Sequence, residues 1–177
     1  MTTLDFWKFQ YSNKYFLQDA MAEYIVASAL GVKKSNNCDY WALYDVDYKN
    51  GNKNYRIEVK ETSYYHPWNK NDKVSNQRTF GITKANSNYE NEDIENKFER
   101  QNDIYVFCLV NGKNEKDADP LNLNNWQFYV VRTEVINKVC GDNKTISLGK
   151  VQQLAKKSVR YDELKEEVDR EIANINK

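Results

Sequence analysis

Glu58 and Lys60 stand two residues apart near the end of an apolar β run, Asn54 to Glu61. Period-two alternation therefore puts both on one face of the strand, with Ile57 and Val59 on the other. The carboxylate offers hard oxygens to a cation, and the amine can hold or give up a proton. A second run, Tyr40 to Tyr48, carries Asp39, Trp41, Leu43, Asp45 and Asp47 on a shared face, so an acid from it can reach the same patch. The two runs are joined by Lys49-Asn50-Gly51-Asn52-Lys53, whose Asn and Gly residues are suited to the positive φ that a hairpin turn requires.

Positioning such a hairpin needs further elements. Residues 13 to 30 are predicted to form a helix closed by Gly31, with a stripe of Leu17, Ala20, Met21, Tyr24, Ile25 and Ser28. Val26, Ala27 and Leu30 make its other side apolar too, which predicts a mostly buried helix. Glu23 is its single charge between Asp19 and Lys33, and an ionised carboxylate there is costly unless paired or bound to a cation. Arg78 to Thr83 reads as a short strand, and Asn91 to Asn102 as a helix bearing Ile94 and Phe98. Asp103 to Val110 and Trp126 to Val131 have lost all alternation, the mark of central strands buried on both faces. Thr133 to Val139 reads as a helix capped by Thr133, and Ser147 opens another carrying Val151, Leu154 and Ala155. The last helix, Tyr161 to Ile175, is amphipathic through Leu164, Val168, Ile172 and Ile175. That face suits packing on its own domain and leaves homodimerisation open.

The whole-chain numbers narrow the setting. A chain of 177 residues suits one domain, residues 1–177. Charge is balanced at 26 basic and 26 acidic residues, which counts against a bulk polycation that coats nucleic acid. Cys38, Cys108 and Cys140 are odd in number and widely spaced, so neither a disulfide framework nor a zinc site is expected, and a reducing cytoplasm is the simplest setting. The polar stretch after Pro67 gathers Lys70, Lys73, Asn76, Gln77 and Arg78, donors of the kinds that grip phosphates and read base edges. His66, the single histidine, reads as a loop residue beside that proline.

Acid-x-Lys alone carries little information, since the chain contains five such triplets where composition gives roughly three by chance. Only Glu58-Val59-Lys60 ends an apolar β run, follows an acid on a paired strand, and comes after a helix with its own acid. The wording Ile57-Glu58-Val59-Lys60-Glu61-Thr62-Ser63, with Asp39 before it, resembles the PD-(D/E)XK (restriction-endonuclease-like) nuclease superfamily. Cys38 stands where that pattern has proline.

The resemblance covers residues 13 to 131 and implies an α/β fold with a three-layer core, a mixed β-sheet flanked by helices, to which residues 132–177 add helical cover. It implies a Mg²⁺-dependent deoxyribonuclease, with Mn²⁺ as substitute, that hydrolyses phosphodiester bonds of double-stranded DNA in restriction or phage defence. A repair or recombination nuclease is the alternative within the class, and a non-catalytic binding module of the same fold the alternative outside it. The implied metal ligands are Asp39, Glu58, the Val59 carbonyl and Glu23, with Lys60 acting on the attacking water. Asp39 stands where the family places its aspartate, 19 residues before Glu58, while Asp45, 13 before it, could pair closer across the hairpin. Lys70, Lys73, Asn76, Gln77 and Arg78 are the expected nucleic-acid contacts.

Overall fold

The computed structural model describes residues 18–32, 44–65, 78–86, 98–114, 117, 119 and 121–175. Its centre is a four-stranded mixed sheet in the order β1 (Val46–Asn50), β2 (Lys53–Ser63), β6 (Ile104–Val110), β7 (Trp126–Arg132). β1 and β2 form an antiparallel hairpin, β2 and β6 run parallel, and β6 and β7 are antiparallel. Two small ribbons complete the strands, β3 (Thr79–Gly81) with β8 (Thr145–Ser147) and β4 (Ala85–Asn86) with β5 (Phe98–Glu99).

Side chains leave the sheet alternately, and the two faces bury separate cores. Ile57, Val59, Ile104, Val106, Cys108 and Phe128 pack under α1 (Gln18–Ala29) and α4 (Leu164–Ile175), through Ala22, Ile25 and Val26 of the first and Leu164, Val168 and Ile172 of the second. Tyr105, Phe107, Leu109, Tyr129 and Val131 point the other way, against Ile136 of α2 (Thr133–Cys140), Val151 of α3 (Leu148–Ala155), and Phe80 and Ile146 of the β3–β8 ribbon. The chain is thus a mixed α/β protein with helices on both faces of a mixed sheet. β6 is buried at all seven positions, as its unbroken apolar sequence demands.

Several boundaries differ from the sequence expectation, for physical reasons. The hairpin loop is the two residues Gly51-Asn52, because Asn50 already pairs with Lys53. Gly51 alone takes the positive φ, at 63°, so Asn50 and Asn52 do not share that duty. β1 begins at Val46, and Tyr44 and Asp45 form a bend before it. The helix expected up to Asn102 is contradicted at its end, where Phe98–Glu99 is a strand paired with Ala85–Asn86. α1 closes at Gly31 (φ 72°) as expected, with the Val32 amide donating to Ala27 O and the Gly31 amide to Ser28 O. It is less enclosed than its composition suggests: Tyr24 is 69% exposed, and Ala20 and Ser28 are exposed too. Thr133 does not cap α2; Arg132 holds the cap position, and Thr133 Oγ1 instead accepts from Asn102 Nδ2 at 2.9 Å. Ser147 does cap α3, accepting from the Lys150 amide at 3.3 Å.

No helix among the described residues is long and apolar enough to cross a membrane.

Candidate active site

β2 continues past its partner. The β1 ladder ends with Val46 opposite Ile57, and one further bond runs from the Asp45 amide to Ile57 O at 3.1 Å. On that side of the next register position, the Val59 amide donates to Asp45 Oδ2 at 2.7 Å. Asp45 is therefore fixed by its own backbone and by its carboxylate at the open edge of β2, at the level of Glu58. The N–H and C=O of one extended residue leave the strand on the same side, so the Val59 carbonyl faces this edge as well.

Glu58 and Lys60 project from the sheet face of the second core, beside Tyr105 and Phe107 of β6. Lys60 Nζ lies 2.6 Å from Glu58 Oε1, with side chains 32% and 19% exposed. Burial pushes the Glu58 carboxyl above the usual glutamate range, the Asp45 charge pushes it further, and Lys60 offsets only part of this. Two carboxylates thus stand near one another in a partly desolvated place, with the Lys60 ammonium against Glu58.

Tyr105, 2% exposed, is the immediate neighbour of Glu58 in the ladder. Its hydroxyl is driven upward in pKa by burial and by the Glu58 charge, with Arg100 opposing. Arg100 is itself buried, and its guanidinium donates to Ile82 O (2.8 Å), Asn137 Oδ1 (2.7 Å), Gly141 O (3.0 Å) and Asn143 O (3.1 Å). The wall behind Glu58 is thereby pinned to the loop after α2. Sequence reasoning missed Tyr105 and Arg100 as parts of this region, and the parallel β2–β6 register is the signal that finds the first of them.

The expected site residues fall into three groups. Glu58, Lys60 and the Val59 backbone come together with Asp45. Glu23 is half-buried on α1, the helix that covers the Ile57 and Val59 face, whereas Glu58 and Lys60 leave the opposite face. Asp39, Lys70, Lys73, Asn76 and Gln77 lie outside the described residues, as does His66. Arg78 is half-buried over the Tyr64 ring, 3.7 Å from its centroid.

No three acid, imidazole or thiol side chains gather in a metal-holding group among the described residues. The donors present still suit Mg²⁺, which takes hard oxygens from one or two carboxylates and keeps several waters. Asp45, Glu58 and the Val59 carbonyl are such a set, two carboxylates and a carbonyl of the hard-oxygen kind that a dication takes.

Comparison of the chain with protein-family models, with curated proteins and with solved structures finds no match.

Proposed function

We propose that the protein is a divalent-cation-dependent nuclease of the PD-(D/E)XK kind, acting on DNA in a restriction or phage-defence role. The observation that carries this reading is the meeting of Asp45, Glu58 and Lys60 at the open edge of β2, where burial and the Asp45 charge hold the Glu58 carboxyl above its usual range even with Lys60 in contact. Natural folds keep such costly groups together where a ligand or a reaction uses them.

In this reading Asp45, Glu58 and the Val59 carbonyl hold Mg²⁺, with Asp45 in the role expected of Asp39. The ion, when bound, neutralises phosphodiester charge and lowers the pKa of water. The residues do the rest. The bond from the Val59 amide holds the Asp45 carboxylate still, so little ordering remains to be done on binding. Lys60, released from part of its contact with Glu58, orients the attacking water, takes its proton at Nζ when neutral, and stabilises the added negative charge when protonated. Tyr105 and Phe107 exclude water behind the pair and strengthen its electrostatics.

The test is plasmid cleavage with Mg²⁺ by wild type, Lys60→Ala and Glu58→Gln. Cleavage by the wild type and loss of at least about 100-fold in each variant is expected, the ordinary contribution of a positioned acid–base group. Equal rates for wild type and Lys60→Ala would remove Lys60 from the chemistry. The ion pair between Lys60 and Glu58 is the observation that favours a binding module without catalysis; plasmid left intact at every Mg²⁺ and Mn²⁺ concentration would favour that second reading.

A further inference from the structure

A cleft of about 520 Å³ opens at the carboxyl end of the parallel pair β2 and β6, lined by Tyr64, Arg78, Thr79, Ser147, Leu148, Gly149 and Gln152. Its size is that of a small-ligand site. Ligands of open α/β sheets bind outside the carboxyl ends of parallel strands. Its lining carries one charge, the Arg78 guanidinium, and no acid. Among the described residues nothing accepts a hydrogen bond from that guanidinium, and its buried Nε has no partner. Lys113, in the loop after β6, lies 6.0 Å from the other component of the stack, the Tyr64 ring. In a chain with no net charge, this is a local positive pocket with an aromatic wall.

We propose that this cleft binds one nucleotide unit of a polynucleotide strand, its phosphate against the Arg78 guanidinium edge and its base against the guanidinium plane and the Gly149 wall. Ligand class rests on the nuclease reading; the pocket itself does not. Tyr64 continues the row Glu58, Lys60, Thr62 on one side of β2, so the cleft lies roughly 13 Å along the strand from Lys60. That is within the length of a few nucleotides of one bound strand. Gln152 Nε2 is engaged with the Tyr129 hydroxyl at 3.2 Å, which leaves its Oε1 free to accept from a base edge. Ser147 Oγ, which accepts from the Lys150 amide, keeps its proton to donate. Guanidinium planes and aromatic rings are the surfaces on which unpaired bases stack, and phosphate is the anion a guanidinium fork matches.

Gly149 supplies the decisive variant. A Cβ there meets no atom within 4 Å, and its backbone is helical with no positive φ. Gly149→Leu therefore fills the cleft without straining the chain, and leucine is the stronger helix former. The experiment measures fluorescence anisotropy of a short labelled 5′-phosphorylated oligothymidylate in EDTA, with wild type, Gly149→Leu and Arg78→Gln, alongside melting temperatures. Expected is binding by the wild type, a loss of about tenfold or more in each variant, and a melting temperature held or raised in Gly149→Leu. Thymidine monophosphate and inorganic phosphate serve as competitors, each expected to be at least about tenfold weaker than the oligomer. No binding by the wild type, unchanged affinity in both variants, or a competitor equal to the oligomer would overturn the proposal. Because EDTA removes the cation, binding here without Mg²⁺-dependent cleavage leaves the cleft standing and sinks the nuclease reading; cleavage with oligomer affinity unaltered by both substitutions does the reverse.

Discussion

Replacing Asp45 separates the site from the scaffold most cleanly, because that one carboxylate has a structural bond and a charge that can be removed independently. Its Oδ2 accepts from the Val59 amide at 2.7 Å, and a bond to a charged acceptor contributes about 1.5–3 kcal/mol. Asp45→Asn keeps an oxygen acceptor and loses the charge. About 1 kcal/mol of charge assistance goes, but the repulsion that helps raise the Glu58 pKa goes with it. The melting temperature in EDTA should then move by no more than about 3 °C. Asp45→Ala leaves the Val59 amide without this acceptor at a half-buried edge, which costs about 2 kcal/mol and, at about 2–4 °C per kcal/mol for a chain of this size, lowers the melting temperature by about 4–8 °C. Cation binding reads differently. A hundredfold excess of Mn²⁺ over its dissociation constant stabilises the wild type by about 2.7 kcal/mol, a rise of about 5–10 °C, and Asp45→Asn should show almost none of it. The assay is differential scanning fluorimetry across a Mn²⁺ titration. A full Mn²⁺ shift in Asp45→Asn, with the shift lost in Asp39→Asn, would refute the choice of Asp45 and return that role to Asp39.

Two more expectations follow from the same geometry. An acid whose folded pKa lies above the ordinary 4.5 is protonated in both states at low pH and costs nothing there. As pH rises from 4.5 through the folded value, the unfolded chain releases the proton first and stability falls. Glu58→Gln removes that slope, so calorimetry without metal should show the variant gaining on the wild type as pH rises above 4.5; a difference independent of pH would mean that Glu58 is not desolvated as described. Arg100→Met leaves Ile82 O, Asn137 Oδ1, Gly141 O and Asn143 O without their donor and should cost about 3 kcal/mol in urea unfolding. Arg100→Lys, which lacks the fork, should recover only part of that loss.

What was legible in the sequence follows the range of the interactions concerned. β6 and β7 announce themselves because burial on both faces needs an unbroken apolar run, and that is a local property. The hairpin was legible too, but a connection read as Lys49 to Lys53 leaves the register open. Pinned at Gly51-Asn52, the pairing runs back from Asn50 and Lys53 to Val46 and Ile57, so that Asp45 comes level with Glu58. The turn was thus the available signal for Asp45. The helix expected through Phe98 rested on Ile94 and Phe98 alone, and pairing with Ala85–Asn86 overrode it. Nothing local marks Arg100 as buried, because its acceptors lie 18 to 43 residues away. The exposed face of α1 was hidden by composition: with apolar residues all round, periodicity cannot say that Tyr24 faces out.

The unequal strands explain why the charges collect where they do. β2 is 11 residues long and β1 five, so β1 pairs only its first half. From Glu58 onward β6 continues on one side, and among the described residues no strand pairs with the other. An amide at such an edge needs an acceptor, and Asp45, the first residue beyond the ladder, supplies one as a carboxylate. Threonine or asparagine could have satisfied the same amide without adding a negative charge beside Glu58. The chain instead places a second anion where a first is already desolvated, and Lys60 contacts that first one, Glu58. Edge satisfaction accounts for an acceptor at position 45; on the proposed reading, a bound cation would account for its charge.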